Sequence, residues 1–230
     1  MNIAIIPARG GSKRIVDKNI RTFCGNPIIY YSIKTAINSK LFDHVIVSTD
    51  SNKIAKEAMD LGAEVPFIRP GYLSDDFTGT NDVIKHAVQW IENNWSIVDY
   101  ICCIYATAPF IRVDFLRKGI EDLIKFKKSF AFAVTTFPFP IQRAIRIDEN
   151  RNITPFNKDD IKKRSQDLDE SYHDAGQFYW GTRKAFLEDE EIFSSESTPV
   201  ILPRYLVQDI DTEEDWAQAE LMYLALSKLD

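Results

Sequence analysis

NIAIIPARGGSK, residues 2–13, decides how the chain folds. Asn2–Pro7 is a short apolar run dominated by Ile, the pattern of a strand buried on both faces. It gives way at once to Ala8–Asn19, a loop carrying the adjacent glycines Gly10 and Gly11 and the cations Arg9, Lys13 and Lys18. Open parallel sheets bind ligands at the carboxyl ends of their strands, so this basic glycine loop is a candidate binding element.

Outward from this unit, strands and helices alternate. Pro27–Asn38 predicts a helix, Asp43–Ser48 a strand, Asn52–Leu61 a helix stopped by Gly62, and Glu64–Ile68 a third strand. Thr80–Trp95 has Val83, Ile84, Ala87, Val88 and Ile91 at helical spacing. Tyr100–Tyr105 (YICCIY) predicts a strand, Asp114–Lys127 an amphipathic helix and Phe130–Thr135 a fifth strand. Gly176–Trp180 and Val200–Leu202 predict further strands, and Thr212–Leu229 a closing helix. Short strands separated by helices of ten or more residues build βαβ units, so the class is α/β with a mostly parallel sheet. The rhythm breaks after Thr136. FPFPI, at Phe137–Ile141, holds two prolines that bar a regular helix or central strand. Ala144–Ile147 and Asn152–Pro155 can pair as a hairpin around Asp148–Arg151, and Lys158–Glu170 is highly polar. The chain therefore reads as one domain, 1–230, with an insertion at about 136–173 that packs across a dimer, covers a site, or is a solvated excursion.

The 230 residues are 45% hydrophobic and 27% charged, a globular composition long enough to bury a full core. The net charge of −6 argues against general nucleic-acid binding, which needs a basic field. Three cysteines cannot build a disulfide framework, and Cys102 and Cys103, neighbours in an apolar run, read as buried strand residues. That usage suits a reducing compartment, so a cytoplasmic location is expected. No apolar stretch approaches the roughly 18 residues of a membrane span, and basic residues follow the first apolar run, the reverse of a secretory leader. His44, His86 and His173 show no zinc spacing. Cys24 has no base nearby in sequence, so no thiol nucleophile is expected.

Adjacent glycines let a backbone approach a phosphate and present N–H groups to it. With Arg9, Lys13 and Lys18 on the same loop, a triphosphate is a better match than a neutral ligand. The spacing is that of neither a Walker A loop nor GxGxxG. The second constellation is Asp209-Ile210-Asp211, whose carboxylates project from the same side of an extended segment. Hard oxygen ligands of this kind suit Mg²⁺. By spacing alone, they serve equally as caps for the helix that follows.

IPARGGSK with Lys18-Asn19 resembles the cytidylyltransferases that make CMP-activated acidic sugars. The resemblance continues through STD (Ser48–Asp50), RPxxLxxD (Arg69–Asp76) and DIDTxxDW (Asp209–Trp216), and so covers nearly the whole chain. It departs from the sialic-acid members at Tyr105, where they carry glutamine in an LQPTSPLR-like segment. It departs again at Arg164–Asp169 (RSQDLD), where their RQxLP arginine is shifted and the proline is missing. YATAPF, FPFPIQRA (Phe137–Ala144) and YHDAGQFYWG (Tyr172–Gly181) together resemble the branch of that family that activates pseudaminic acid for flagellin or surface glycans.

The resemblance implies a three-layer, Rossmann-like fold of the nucleotide-diphospho-sugar transferase kind. It also implies direct transfer from CTP to a nine-carbon acidic sugar, with pyrophosphate released and Mg²⁺ as cofactor. It assigns the nucleotide to Ala8, Arg9, Gly10, Gly11, Ser12, Lys13, Asn19, Arg69, Thr80 and Tyr105, and the metal to Asp209 and Asp211. Arg9, Lys13 and Asp211 are the catalytic candidates. Thr80 suits an N-cap as well as a contact to the base, and Arg69 and Tyr105 each have a bland structural reading. Gln142, Arg143, Gln166, His173, Gln177 and Tyr179, in the distinctive half of the chain, are candidates for the sugar's carboxylate and N-acyl groups, or are structural polar residues. A homodimer through the insertion is expected. The rival readings are a cytidylyltransferase for another acid sugar (sialic, legionaminic or 3-deoxy-octulosonic acid) and a catalytically silent nucleotide-binding protein.

Overall fold

A computed structural model describes residues 1–228 of the chain. In chain order, β1 (Asn2–Pro7) is followed by a small hairpin, β2 (Thr22–Phe23) and β3 (Asn26–Pro27), and then by α1 (Ile29–Ser39), β4 (His44–Ser48), α2 (Asn52–Asp60) and α3 (Thr80–Asn94). Next come β5 (Tyr100–Ile104), α4 (Val113–Phe126), β6 (Phe130–Thr136) and a second hairpin of β7 (Ile145–Ile147) and β8 (Ile153–Pro155). The chain closes with β9 (Tyr172–Thr182), α5 (Arg183–Leu187), β10 (Ser197–Ile201) and α6 (Glu213–Leu226).

Six strands form one sheet in the order β10-β6-β9-β5-β1-β4. β1 runs parallel to β4 and β5, and β10 parallel to β6. β9 is the exception, antiparallel to both β5 and β6. The sheet is thus mostly parallel, as predicted, with its reversed strand in the interior rather than at an edge. Period-two alternation divides β1 between two cores. Ala4 and Ile6 join α1, α2 and α4 on one face, while Ile3 and Ile5 join α3 and α5 on the other. Cys102 and Cys103 likewise point to opposite faces, both buried and unbridged. A third cluster, built on Ile15, Phe23, Tyr31, Leu206, Ile210 and Trp216, docks α6 against α1 and the hairpin of β2 and β3.

Local chemistry explains the boundaries. Ser51 caps α2, accepting from Ile54 N–H, and Gly62, at φ +92°, supplies the left-handed turn that stops it. α4 can press onto β9 because position 119 is glycine: a Cβ there would lie 2.7 Å from Trp180 Cδ1. The fully buried Trp180 indole donates to Leu116 O at 2.9 Å, so its one polar atom is satisfied.

Two predicted elements are corrected. Glu64–Ile68 makes only a single bridge, Ile46 to Glu64, because Pro66 has no N–H to continue a ladder. The strand predicted over Gly176–Trp180 is longer, reaching back to Tyr172 and so taking the end of the predicted insertion into the sheet. The hairpin forms as expected, with Ile147 opposite Ile153. The predicted end of the closing helix at Leu229 lies outside the described residues. Among those described, no helix is long and apolar enough to cross a membrane.

Candidate active site

The parallel pairing of β1 and β4 sets their carboxyl ends side by side, with Ala8 N–H donating to Ser48 O at 2.9 Å. Asp50 Oδ1 then accepts from Gly10 N–H at 2.8 Å. A Cβ at position 10 would stand 3.0 Å from Ser51 Cβ, so glycine is what lets the loop lie against the next βα turn. Asn19 Nδ2 donates to Arg9 O at 2.9 Å and ties the far end of the loop back to its start. The result is a cavity of about 400 Å³ walled by Arg9, Ser12, Lys13, Arg14, Lys18, Asn19, Asp76 and Asp211. Four cations and two carboxylates line it. Arg9 Nη1 lies 2.7 Å and Lys13 Nζ 2.5 Å from Asp76, and these two cations, Lys13 first, hold that carboxyl below its usual range. Arg14 Nη1 and Lys18 Nζ meet Asp211 at 2.8 and 3.3 Å.

Arg69 lies beneath this loop and is only 4% exposed. Its Nε donates to Ser74 Oγ at 3.1 Å, and its Nη2, 3.8 Å from Asp50 Oδ1, has no hydrogen-bond partner among the described residues. Burial lowers its pKa, against the attraction of Asp50. An unsatisfied buried donor costs free energy that an incoming acceptor would recover.

A second cavity, about 470 Å³, opens between Tyr105, His173, Asp174, Gly176, Tyr179, Gln208 and Asp209. Asp209 thus lines this second cavity and Asp211 the first. Burial, and then the charge of Asp211, push the Asp209 carboxyl upward. Neither aspartate caps the helix. Thr212 Oγ1 accepts from Asp215 N–H at 3.2 Å, and Asp215 Oδ2 accepts from Thr212 N–H at 2.8 Å and from Asp211 N–H at 3.1 Å. This capping box removes the alternative use that the spacing had left open. Two mutually repelling hard-oxygen donors beside a cationic loop fit an octahedral cation that completes its shell with water and phosphate oxygens. A full protein cage is absent: no cluster of three or more His, Cys, Asp or Glu among the described residues is placed to hold a metal.

The remaining candidates divide. Thr80 is the first residue of α3 but not its cap, which is Gly79; its hydroxyl instead reaches Tyr105. Tyr105 in turn packs on Tyr179, with ring centroids 5.4 Å apart, and Tyr179 donates to Asp174 Oδ2. Burial is the main cause that raises both tyrosine pKa values. His173 lines the second cavity and packs on Phe137. Gln177 is buried, but its Nε2 donates to Leu206 O, which turns it towards the strand-loop packing. Gln142, Arg143 and Gln166 stay within the insertion and wall neither cavity. Gln142 Nε2 donates to Asp169 O at 2.8 Å and Arg143 Nη1 to Ser165 Oγ at 3.2 Å, while Gln166 lies in an exposed turn. Sequence reasoning missed Asp76, Arg14 and Asp174 as site residues, although Asp76 and Asp174 stand inside the quoted motifs and Arg14 directly follows one.

The chain belongs to the cytidylyltransferase family, whose model matches residues 3–224. It is 46% identical over 222 residues, 96% of both chains, to the pseudaminic acid cytidylyltransferase of Campylobacter jejuni. It is 30% identical to the CMP-N,N'-diacetyllegionaminic acid synthase of Legionella pneumophila, over 95% of this chain and 94% of the other. Among solved structures, CMP:2-keto-3-deoxy-manno-octonic acid synthetase complexed with CTP superposes with a TM-score of 0.69 over 99% of both chains, at 15% identity. That likeness is one of fold.

Proposed function

We propose that this protein activates pseudaminic acid with CTP, forming CMP-pseudaminic acid and pyrophosphate with Mg²⁺ as cofactor, for flagellin or surface-glycan synthesis. The observation that carries the reading is a pair of cavities, one cationic and bounded by Asp211, the other lined by tyrosines and Asp174 and bounded by Asp209, two residues away in sequence. The likeness to the Campylobacter jejuni enzyme along 96% of both chains supports the choice of acid.

In this reading Arg9, Lys13 and the Gly10–Ser12 backbone hold the β- and γ-phosphates. Arg69, with its orphaned Nη2, offers a buried donor to an acceptor on the nucleotide. The anomeric 2-hydroxyl of the acid attacks the α-phosphorus, and pyrophosphate departs in line on the far side. Such a transfer asks for positioning and charge neutralisation more than covalent help from the protein. Asp209 and Asp211 would hold Mg²⁺, which when bound neutralises charge on the transferring and leaving oxygens. Release of Asp76 and Asp211 frees Lys13, Arg9, Arg14 and Lys18 to turn towards phosphate, since each carboxylate now occupies the place of an anionic ligand.

A homodimer is part of the proposal. Ile145, Ile147 and Ile153 on the small hairpin are 47–67% exposed, with Phe139 at 79%, an apolar surface larger than one protomer covers. A cytoplasmic location accords with three unbridged cysteines, two of them buried.

The test is pyrophosphate release from CTP and Mg²⁺ with a panel of pseudaminic, N,N'-diacetyllegionaminic, N-acetylneuraminic and 3-deoxy-octulosonic acids. Turnover is expected with pseudaminic acid and CTP. Preference for another acid would move the protein within its family, equal turnover with UTP would refute the cytidylyl assignment, and CTP binding without turnover of any acid would leave a silent nucleotide-binding protein.

A further inference from the structure

We propose that Asp174 is a specificity-determining residue that accepts a hydrogen bond from an N–H or O–H group on the acid sugar, with Tyr179 holding its carboxylate in place. The inference rests on the acid-sugar reading above and deepens it.

Asp174 owes its position to an irregularity in β9. The ladder with β6 pairs Phe132 with Tyr179 but Val134 with Asp174, so four residues of β9, 175–178, stand opposite the single residue Ala133 of its neighbour. Gly176 takes up the excess at φ +60°, the left-handed region. The bulge folds the chain back so that Asp174 Oδ1 accepts from Gly176 N–H at 2.9 Å while Oδ2 accepts from the Tyr179 hydroxyl. Asp174 thereby lines two spaces at once: the 470 Å³ cavity it shares with Asp209, and a smaller one of about 160 Å³ between Thr80, Tyr105, Tyr179 and Phe193.

No cation pairs with it among the described residues. A carboxylate has about four acceptor positions, and only two are used here. The site is one proposed for an anionic substrate, so an unpaired negative charge in its wall repels the substrate's own carboxylate from that end. It welcomes donors instead. N,N'-diacetyllegionaminic acid, the acid named for one of the relatives, carries acylamino groups, whose N–H is such a donor. Asp174 therefore orients the sugar, with donor substituents towards β9 and the carboxylate away from it, nearer the cationic loop. A site built around an acceptor discriminates strongly, because a ligand lacking the donor leaves that acceptor unpaired.

The experiment compares the parent protein with Asp174→Asn and Tyr179→Phe. KM for CTP and KM for the acid are measured separately by pyrophosphate release, using the acid the parent prefers from the panel above, and melting temperature is recorded alongside. Asparagine keeps the size and one acceptor but turns an N–H₂ towards the substrate donor. Asp174→Asn is expected to raise KM for the acid at least tenfold, leave KM for CTP within about twofold, and melt with the parent. Tyr179→Phe should move the same constant in the same direction by less. An unchanged KM for the acid in Asp174→Asn would reduce Asp174 to a clasp of the bulge, and so would a parallel rise in both KM values with a lowered melting temperature. Should the parent turn over another acid instead of pseudaminic acid, the choice of acid fails while Asp174 is still judged on the acid that is used. Absence of turnover with every acid by the parent removes both readings.

Discussion

Asp211 pairs with two cations in this structure and is proposed to hold Mg²⁺ when substrate binds. Its carboxylate lies between Arg14 and Lys18, and the helix behind it is capped by other residues. Asp211→Asn should therefore stay folded, since both ion pairs are partly exposed and such pairs add little stability. Its kcat should fall by orders of magnitude in ordinary Mg²⁺, with partial rescue by excess Mg²⁺ or by Mn²⁺. Near-parental turnover would remove the metal role. Lys13, whose side chain is 80% exposed, should be equally dispensable for folding. Lys13→Ala is expected to weaken CTP binding by about 1.5–3 kcal/mol, the worth of a charge-assisted phosphate contact, as read by titration calorimetry. His86 carries a pH dependence. Burial, and secondarily Arg69, lower its pKa from the ordinary 6.5, and its Nδ1 is buried without a partner. The unfolded chain then binds the proton more readily than the folded one. The contribution of His86 to stability is complete above the unfolded pKa and is lost as pH falls through the folded one. The melting temperature of the parent should drop more between pH 7.5 and 5.5 than that of His86→Gln; parallel curves would assign the acid sensitivity to other groups.

At the scale of elements, two devices hold the site in shape. The capping box of α6 fixes the segment that bears Asp209 and Asp211. Thr212→Ala should cost about 1 kcal/mol in chemical denaturation, without the collapse of kcat expected from Asp211→Asn. A Thr212 variant as inactive as that of Asp211 would show that the segment's geometry, rather than its charge, limits the rate. The other device is close packing at β9, where a Cβ on Gly181 would stand 2.6 Å from Phe186 and 2.7 Å from Phe130. Both rings are buried, and there is no flexible end to yield. β9 also marks where pattern reading falters. Its core, Gly176–Trp180, is apolar and was legible. Tyr172–Ala175 is mixed in polarity and joins the ladder only because β6 extends past the end of β5 and pairs Thr136, Thr135 and Val134 with Tyr172, His173 and Asp174. Glu64–Ile68 errs in the other direction: its apolar residues suggest a strand, but Pro66 limits the pairing to one bridge.

Taken whole, the molecule leaves the hairpin of β7 and β8 with its isoleucines in solvent, although neither strand packs on the main cores. Light scattering at micromolar concentration should report a dimer, and Ile147→Glu should dissociate it. A monomeric parent would return the insertion to a lid or a solvated excursion. By itself, the sequence determined the α/β class, the basic glycine loop after β1, the placement of most helices and strands, and family membership. These follow from local periodicity, glycine and proline placement, and motifs contained in short stretches of chain. Only the tertiary structure decided that β9 runs reversed in the middle of the sheet, that Asp76 and Asp211 neutralise the loop's cations, and that Asp174 meets Tyr179 across a bulge. It also kept Gln142, Arg143 and Gln166 within the insertion, away from the two cavities. Strand direction and ion pairing between residues as distant as Lys18 and Asp211 depend on how the layers close around the sheet, and no local pattern encodes that closure.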